Sequence, residues 1–243
     1  MPLISNVTRR KKGGSGAGKG IFVWYATQLQ NYREDIPHPN PGYIGPVDIA
    51  LCGISSGPGT FWSPDQYGGT QGSGQSALWT YQMLGDEFNF TIIQEGMGQT
   101  IGILKLQVNG GLNNGSTFAV GSGMPGNNYG AAMAATDRIS ATNAVGAVQK
   151  FSGACRPYNS TIYYSDNTQY NPYPPPSYGN TQATYNYAGG TKSIVLFGQT
   201  SPGGIQVNSG GGPVARYGYA GCTNPSPWSG TVVPGGVVFA FPD

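Results

Sequence analysis

The sequence predicts an all-β fold, a sandwich or a jelly-roll-like barrel with long loops rich in Gly, Tyr and Pro. Charged residues make up only 9% of the chain, against about 25% in an average soluble domain. Glu occurs only at Glu34, Glu87 and Glu95, and 41 glycines are present. Each glycine disfavours a helix interior by about 1 kcal/mol. Because 38% of residues are hydrophobic and fall in short clusters, the chain is expected to fold rather than to remain disordered.

Residues 1–20 form a basic arm that joins a short apolar start to a Gly/Ser-rich linker, a composition typical of flexible segments. Its basic residues are Arg9, Arg10, Lys11, Lys12 and Lys19. The other seven basic residues are outnumbered by ten acidic ones, so a basic arm precedes a weakly acidic body. Three interpretations stay open: a solvated tail, docking on a neighbouring subunit, and neutralisation of nucleic-acid phosphates. Nucleic acid is the less favoured of the two partners because the body adds no net positive charge to the arm.

The body begins with apolar runs between turn-rich segments. Residues 21–26 and 47–54 are predicted strands, and residues 36–46 a Pro-rich loop, since proline cannot donate to a β-ladder. Residues 56–75 are a long turn-rich excursion. Residues 76–84 are compatible with a strand or a short helix.

The clearest strand pair comprises residues 88–96 and 99–110, whose apolar residues alternate with a period of two. Gly96, Met97 and Gly98 predict a tight hairpin turn between them. Residues 116–121 are a further predicted strand, and the only helix-compatible stretch lies around residues 130–139.

The composition changes between Tyr158 and Tyr187, where eight of the sixteen tyrosines occur. A proline triplet at 174–176 favours polyproline II conformation there. Strand character returns at residues 192–199 and again at 237–241. We therefore predict an arm (1–20), a main β body (21–155), and a Tyr/Pro-rich loop region with closing strands (156–243), which belongs to the same domain or forms a second one.

Catalytic and cofactor chemistry finds little support. Gly13 to Lys19 superficially match a phosphate-binding loop, but Gly20 stands where Mg²⁺ needs Ser or Thr, and no strand precedes it. His38 is the only histidine and is expected in an exposed turn, without an orienting acid. This scarcity also argues against a zinc site, and no cofactor is predicted.

Paired carboxylates would allow glycoside hydrolysis without histidine, but no spacing singles out a pair. The candidates are Asp65, Asp86, Glu87, Glu95, Asp137 and Asp166. We therefore predict no enzymatic activity. Cys52, Cys155 and Cys222 allow at most one disulfide, and buried thiols are the simpler expectation. No apolar stretch approaches the length of a transmembrane helix, and no secretory signal is recognisable.

The tyrosines give the strongest functional signal, because Tyr combined with Ser, Gly and Asn is typical of binding loops. Tyr rings stack on sugars, and amide and hydroxyl side chains bond sugar hydroxyls. The alternative is that the rings pack against prolines or at a subunit interface. The candidate binding residues are Tyr163, Tyr164, Tyr170, Tyr173, Tyr178, Tyr185, Tyr187, Tyr217, Tyr219 and Trp228.

The C-terminal sequence from Pro234 to Phe241, with its Pro-Gly-Gly turn and short apolar strand, resembles bacteriophage tail-fibre and receptor-binding proteins. The resemblance covers roughly residues 190–243 and the general Gly, Tyr, Ser and Asn composition. It implies homotrimeric assembly, a place on the virion surface, and binding to a host polysaccharide or outer-membrane protein. No coiled-coil heptads for a fibre shaft are present, so a compact tip or spike fits the length better.

Two functions are carried forward from the sequence. The first is a virion surface protein of the tail-fibre or spike type that binds a host receptor or glycan through the Tyr-rich loops. The second is a capsid, spike-base or head-decoration protein with a purely assembly role and a docking arm. Both predict a homo-oligomer that contacts other virion proteins, because a surface poor in charge promotes association.

Overall fold

The computed structural model describes residues 20–28, 30–54, 66–67, 74–95, 102–122, 138–153, 162–164, 169–170, 181–198, 204–218 and 234–243. These residues form seventeen β-strands and no helix, which confirms the all-β prediction. The strands are β1 (Phe22–Ala26), β2 (Tyr32–Pro37), β3 (Ile44–Cys52), β4 (Gln66–Tyr67), β5 (Ser76–Leu84), β6 (Asn89–Glu95), β7 (Ile103–Asn109), β8 (Thr117–Gly121), β9 (Ser140–Thr142), β10 (Val148–Gly153), β11 (Ile162–Tyr164), β12 (Gln169–Tyr170), β13 (Thr181–Tyr187), β14 (Lys192–Gly198), β15 (Gly204–Ser209), β16 (Gly212–Tyr217) and β17 (Gly236–Ala240).

The strands form four antiparallel sheets. The central sheet has the order β1-β17-β3-β5-β10, and sheet II has the order β2-β6-β7-β8-β9. Sheet III has the order β13-β14-β15-β16, and a small sheet has the order β12-β11-β4. The C-terminal strand β17 therefore lies between β1 and β3, so it joins a sheet whose other strands come from the first 153 residues.

The central sheet is the middle layer of a three-layer stack. On β3, Val47, Ile49 and Leu51 pack in the core shared with sheet II. The alternate residues Ala50 and Cys52 pack in the core shared with sheet III. A strand covered on both faces reads as a continuous apolar run, which explains the sequences of β3 and β17. The fold is thus a β-sandwich with a third layer, and its sheets remain open rather than closing into a barrel.

Aromatic rings fill the core between the central sheet and sheet II. Phe118 lies 5.4 Å from Trp79 and 5.6 Å from Tyr81, and Phe90 lies 5.0 Å from Phe239, measured between ring centroids. Each such pair adds about 0.5–1.5 kcal/mol beyond its buried area. These contacts join β5, β6, β8 and β17, so they fix the two sheets relative to each other.

Several predicted strands are confirmed: β1, β3, β6, β7, β8, β14 and β17 lie within the predicted segments or overlap most of them. The ambiguous segment 76–84 is a strand in full, since β5 pairs along its whole length with β3. The antiparallel pairing of β6 with β7 is confirmed as well, while the predicted turn at 96–98 lies outside the described residues. Of the helix-compatible stretch only 138–139 are described, and they are not helical.

The Pro-rich loop is shorter than predicted. Pro37 ends β2 and Pro46 lies in β3, so only residues 38–43 connect the strands. Both prolines are tolerated because each has a neighbouring strand on one side only, so the missing N–H can face the unpaired side. β2 is the edge strand of sheet II, and Pro46 lies beyond the part of β3 that pairs with β17.

His38 is not exposed, contrary to prediction. It is buried, and its ring centroid lies 5.4 Å from that of Phe90. Its Nδ1 accepts a hydrogen bond from the backbone N–H of Asn40 at 3.1 Å. This contact closes the turn after β2. The imidazole ring therefore both packs against the core and caps the turn.

Cys52 agrees with the expectation of a buried thiol: it is fully buried, and its Sγ lies 3.4 Å from the carbonyl oxygen of Gly53. Cys155 and Cys222 lie outside the described residues.

Candidate functional site

The two ends of the stack differ in their connections. At one end, here called the turn end, short turns join neighbouring strands. These turns are residues 38–43, 85–88, 110–116, 143–147, 188–191 and 210–211. The backbone N–H of Gly210 bonds the carbonyl of Thr191 at 3.0 Å, and that of Gly189 bonds Asp243 at 2.7 Å, which links the turns of sheet III to the end of β17.

The opposite end, here called the loop end, carries the long segments. Residues 154–180, which hold most of the candidate tyrosines, follow Gly153 and precede Thr181. Gly153 pairs with Ser76, and Thr181 pairs with Gly198. Residues 219–233, with Tyr219 and Trp228, also leave and return there, because the N–H of Gly218 bonds the carbonyl of Pro234 at 2.8 Å.

Glycines pack backbone against backbone at the loop end, in a glycine-packed base formed by Gly53, Gly74, Gly218, Gly235 and Gly236. A Cβ on Gly74 would collide with the carbonyl of Gly53, and one on Gly53 with the carbonyl of Gly121. A Cβ on Gly236 would collide with the ring of Tyr217. Only glycine allows this approach, so the roots of the long segments are held on a close-packed base.

Buried amides and a hydroxyl strengthen this base. The side-chain oxygen of Gln75 accepts a hydrogen bond from the N–H of Gly121 at 2.8 Å. Ser122 Oγ accepts bonds from the N–H of Ile54 at 3.3 Å and from Gln94 Nε2 at 3.1 Å. These bonds connect the central sheet to sheet II where β3, β5 and β8 meet the loop end, and they fix the positions from which the chain leaves.

The small sheet brings two tyrosine-containing segments together. Tyr163 on β11 stands opposite Tyr67 on β4, and Ile162 stands opposite Tyr170 on β12. Tyr164 stands opposite Gln66. The predicted residues Tyr163, Tyr164 and Tyr170 therefore share one sheet. Tyr67 was missed, because its segment reads as a loop and nothing in it marks the pairing.

Three predicted binding tyrosines have structural positions instead. Tyr187 and Tyr217 are only 4% and 6% exposed, in the core between the central sheet and sheet III. Burial raises the pKa of both phenols, and the Asp48 carboxylate raises that of Tyr187 further. Tyr185 is half-buried, with its hydroxyl 3.3 Å from the carbonyl of Lys150 and its ring centroid 5.9 Å from the ammonium of Lys150. Tyr187 and Tyr217 therefore pack in the core of the chain itself.

The remaining predicted residues lie outside the described part of the chain. They are Tyr173, Tyr178, Tyr219 and Trp228 among the candidate binding residues, and Arg9, Arg10, Lys11, Lys12 and Lys19 of the arm.

Asp48 organises a buried polar cluster that sequence reasoning did not identify. Its carboxylate accepts hydrogen bonds from Thr80 Oγ1 at 2.6 Å, Tyr187 OH at 2.8 Å and Lys150 Nζ at 3.0 Å. These donors come from β5, β13 and β10. Because three donors saturate the carboxylate, the cluster ties sheet III to the central sheet and leaves no oxygen poised as a base.

At the turn end, apolar side chains face solvent. Ile44, Phe88, Leu112 and Val145 are between 66% and 79% exposed, and they define the turn-end apolar surface. Exposed apolar residues that occur singly are normal, whereas a group of them marks an interaction surface.

Buried polar groups hold these turns from beneath. Glu87 accepts hydrogen bonds from the N–H groups of Leu84 and Gly85 at 3.0 and 2.9 Å and from Tyr81 OH at 2.9 Å. Asn113 Nδ2 donates to the same phenol at 2.8 Å. Desolvation by burial raises the pKa of Tyr81, and its bond to Glu87 adds to this.

No catalytic pair is evident in the described part of the chain. Glu87 is committed to backbone donors, and Glu95 forms an exposed ion pair with Lys105 at 2.7 Å. Asp65, Asp137 and Asp166 lie outside the described residues. Within residues the structure describes, no group of three or more His, Cys, Asp or Glu side chains is arranged to hold a metal ion. These residues also contain no helix long and apolar enough to cross a membrane.

No protein-family model matches the chain, and neither the curated proteins nor the solved structures contain a significant match. The geometry of the two ends is therefore the basis for a functional proposal.

Proposed function

We propose that this chain is a non-enzymatic virion surface protein of the phage tail-fibre or spike type, and that its loop end binds a host receptor or glycan. The observation that carries the proposal is the difference between the two ends of the stack, with short turns at one end and long connections at the other. β10 ends and β13 begins at the loop end, as do the end of β16 and the start of β17. The chain between these strand ends contains Tyr163, Tyr164, Tyr170, Tyr173, Tyr178, Tyr219 and Trp228.

A rigid scaffold with recognition loops at one end is a common arrangement for binding proteins. The glycine-packed base and the bonds of Gln75 and Ser122 supply that rigidity. A fixed base reduces the entropy that the loops lose when a partner binds. Tyr rings add contact area at low entropic cost, and the pairing of Tyr163 with Tyr67 concentrates such residues in the small sheet.

The test is host adsorption by a variant with Tyr163→Ala, Tyr164→Ala and Tyr173→Ala. We expect loss of binding to host cells or to isolated surface polysaccharide while particle assembly continues. Tyr185→Ala is the matched control, because this tyrosine lies on sheet III away from the loop end. Adsorption that survives the triple substitution contradicts recognition through these loops. Polysaccharide cleavage that disappears with a single acidic substitution contradicts the non-enzymatic assignment.

The second candidate is a capsid, spike-base or head-decoration protein with an assembly role alone. The turn-end apolar surface, which is exposed in the single chain, favours it. Here the triple tyrosine variant fails to assemble, and deletion of residues 1–20 abolishes incorporation into particles. Normal incorporation after the deletion excludes docking through the arm. Light scattering of the purified chain tests the expected homo-oligomer, for which the resemblance favours a trimer.

A further inference from the structure

We infer that the turn-end apolar surface is a docking site for residues 2–7 of the same chain, so that the N-terminal arm folds back over the end at which the chain enters the β-stack.

The four side chains of the surface lie on turns that are joined to one another. Ile44 lies against Gly85, where an added Cβ would come within 2.9 Å of its Cγ1. The ring of Phe88 lies closer still to Gly110, where an added Cβ would come within 2.6 Å of its Cδ2. The backbone N–H of Leu112 bonds Asp86 Oδ2 at 3.0 Å, which joins the turns 85–88 and 110–116. The N–H of Val145 bonds Asn113 Oδ1 at 3.3 Å, which adds the turn 143–147.

The surface is also held in shape before anything binds. Glu87 and Asn113 are buried and fix three turns through the bonds described above. A preformed apolar surface costs little ordering on binding. Side chains as exposed as Phe88 and Leu112 gain from being covered, by about 25 cal/mol for each Å² of apolar area.

The occupant is identified by where the chain enters. Gly20, the first described residue, donates its N–H to the carbonyl of Phe241 at 3.2 Å. The ring of Phe241 lies 4.9 Å from that of Tyr43, in the turn that precedes Ile44. The arm therefore leaves the stack at the turn end. Within the arm, only residues 2–7, with Leu3, Ile4 and Val7, form an apolar group.

The connecting segment is long enough. Residues 8–19 separate the apolar group from Gly20, and a flexible Gly-rich chain of this length has a root-mean-square span of about 20 Å. Neighbouring strands lie about 4.8 Å apart and stacked sheets about 10 Å apart. β3 and β5 are two and three strands from β1, so the part of the surface at Ile44 and Phe88 lies within that span.

Charge supports the same placement. Arg9, Arg10, Lys11 and Lys12 follow the apolar group directly, while Asp86 and Asp243 are exposed at the turn end. Such exposed pairs are individually weak, so they orient the arm rather than hold it. A short flexible tether gives an effective concentration in the millimolar range, which favours the chain's own arm over that of a second copy.

Hydrogen exchange of the full chain tests the inference. Leu3→Ser with Ile4→Ser is expected to raise exchange at least tenfold in the turns 85–88, 110–116 and 143–147, and to leave the turn 210–211 unchanged. Equal exchange in all turns of the variant and the parent overturns the inference.

Titration supplies a second, independent measurement. A synthetic peptide of residues 1–19 is expected to bind the Leu3→Ser, Ile4→Ser chain, and Phe88→Ser with Leu112→Ser in that chain should weaken binding at least tenfold. Val214→Ser is the matched control, because Val214 is 47% exposed on β16, outside the surface. The inference is overturned if Val214→Ser weakens peptide binding as much as Phe88→Ser with Leu112→Ser does. It is also overturned if the peptide does not bind at millimolar concentration. Self-association of the parent chain that Phe88→Ser abolishes also overturns it, since the occupant is then a second copy. These variants spare the loop end, so host adsorption still reports separately on the proposed function.

Discussion

Gly74→Ala is expected to destabilise the loop end strongly. The added Cβ would overlap the carbonyl oxygen, carbon and Cα of Gly53, which are backbone atoms that no rotamer change can move. Overpacking a close-packed site costs typically about 1–3 kcal/mol, and the upper part of that range applies because the backbone segments that follow β3 and precede β5 must separate. For a domain of this size, about 3 kcal/mol lowers Tm by roughly 6–12 °C.

Gly212→Ala provides the control, since no atom lies within 4 Å of its Cβ position and its φ is not positive. The assay is thermal and urea unfolding of the two variants beside the parent chain. Gly212→Ala should change the free energy of unfolding by less than about 1 kcal/mol. If Gly74→Ala is no more destabilising than Gly212→Ala, the loop segments do not rest on a close-packed glycine base. In that case the glycine-packed base no longer supports the proposal that the loop end binds a partner.

Three further predictions concern stability. Burial lowers the pKa of His38 below its usual 6.5, although Glu87 partly opposes this, so the unfolded chain binds the proton more readily. The free energy of unfolding should therefore fall as the pH drops from about 7 towards 5, and His38→Asn should flatten that part of the curve. If the parent chain and His38→Asn lose the same free energy of unfolding over this pH range, burial of His38 is not the cause. Asp48→Ala should lower the free energy of unfolding by about 3 kcal/mol, because it leaves buried donors without an acceptor. Glu95→Ala should lower it by less than about 1 kcal/mol. Equal losses in urea unfolding refute the importance of the Asp48 cluster. Trp79→Ala should cost about 3–5 kcal/mol, against little for exposed Val148→Ala, and a small Trp79 effect contradicts its place in the core.

Strands with a strong apolar pattern could be predicted from sequence, including the edge strand β1, while edge strands rich in polar residues could not. β2 carries Arg33, Glu34 and Asp35, and charged residues on an edge strand protect it from further pairing but hide its strand character. β9 and β10 lie at sheet edges and are mostly exposed. Neither gave a signal that distinguishes it from a loop.

β13 shows a different reason for failure. Its tyrosines belong to a segment whose composition is typical of a binding loop, yet Gln182, Thr184 and Asn186 are exposed while Tyr187 is buried. This alternation has the period of a strand and was visible in the sequence. What the sequence does not contain is the partner: the Tyr187 hydroxyl bonds Asp48, 139 residues earlier. Contacts of such sequence separation follow from the topology rather than from local pattern.

The low charge content also has an internal explanation. In a two-layer sandwich each sheet keeps one solvated face that favours polar residues. Here both faces of the inner strands β17, β3 and β5 of the central sheet are covered, so these strands need almost no charged side chains. Asp48 is the buried charge of β3, and it is saturated by donors. Composition alone therefore argues less strongly for subunit association than the sequence suggested. The exposed apolar side chains of the turn end do not restore that argument, because the arm of the same chain enters beside them and is proposed to cover them.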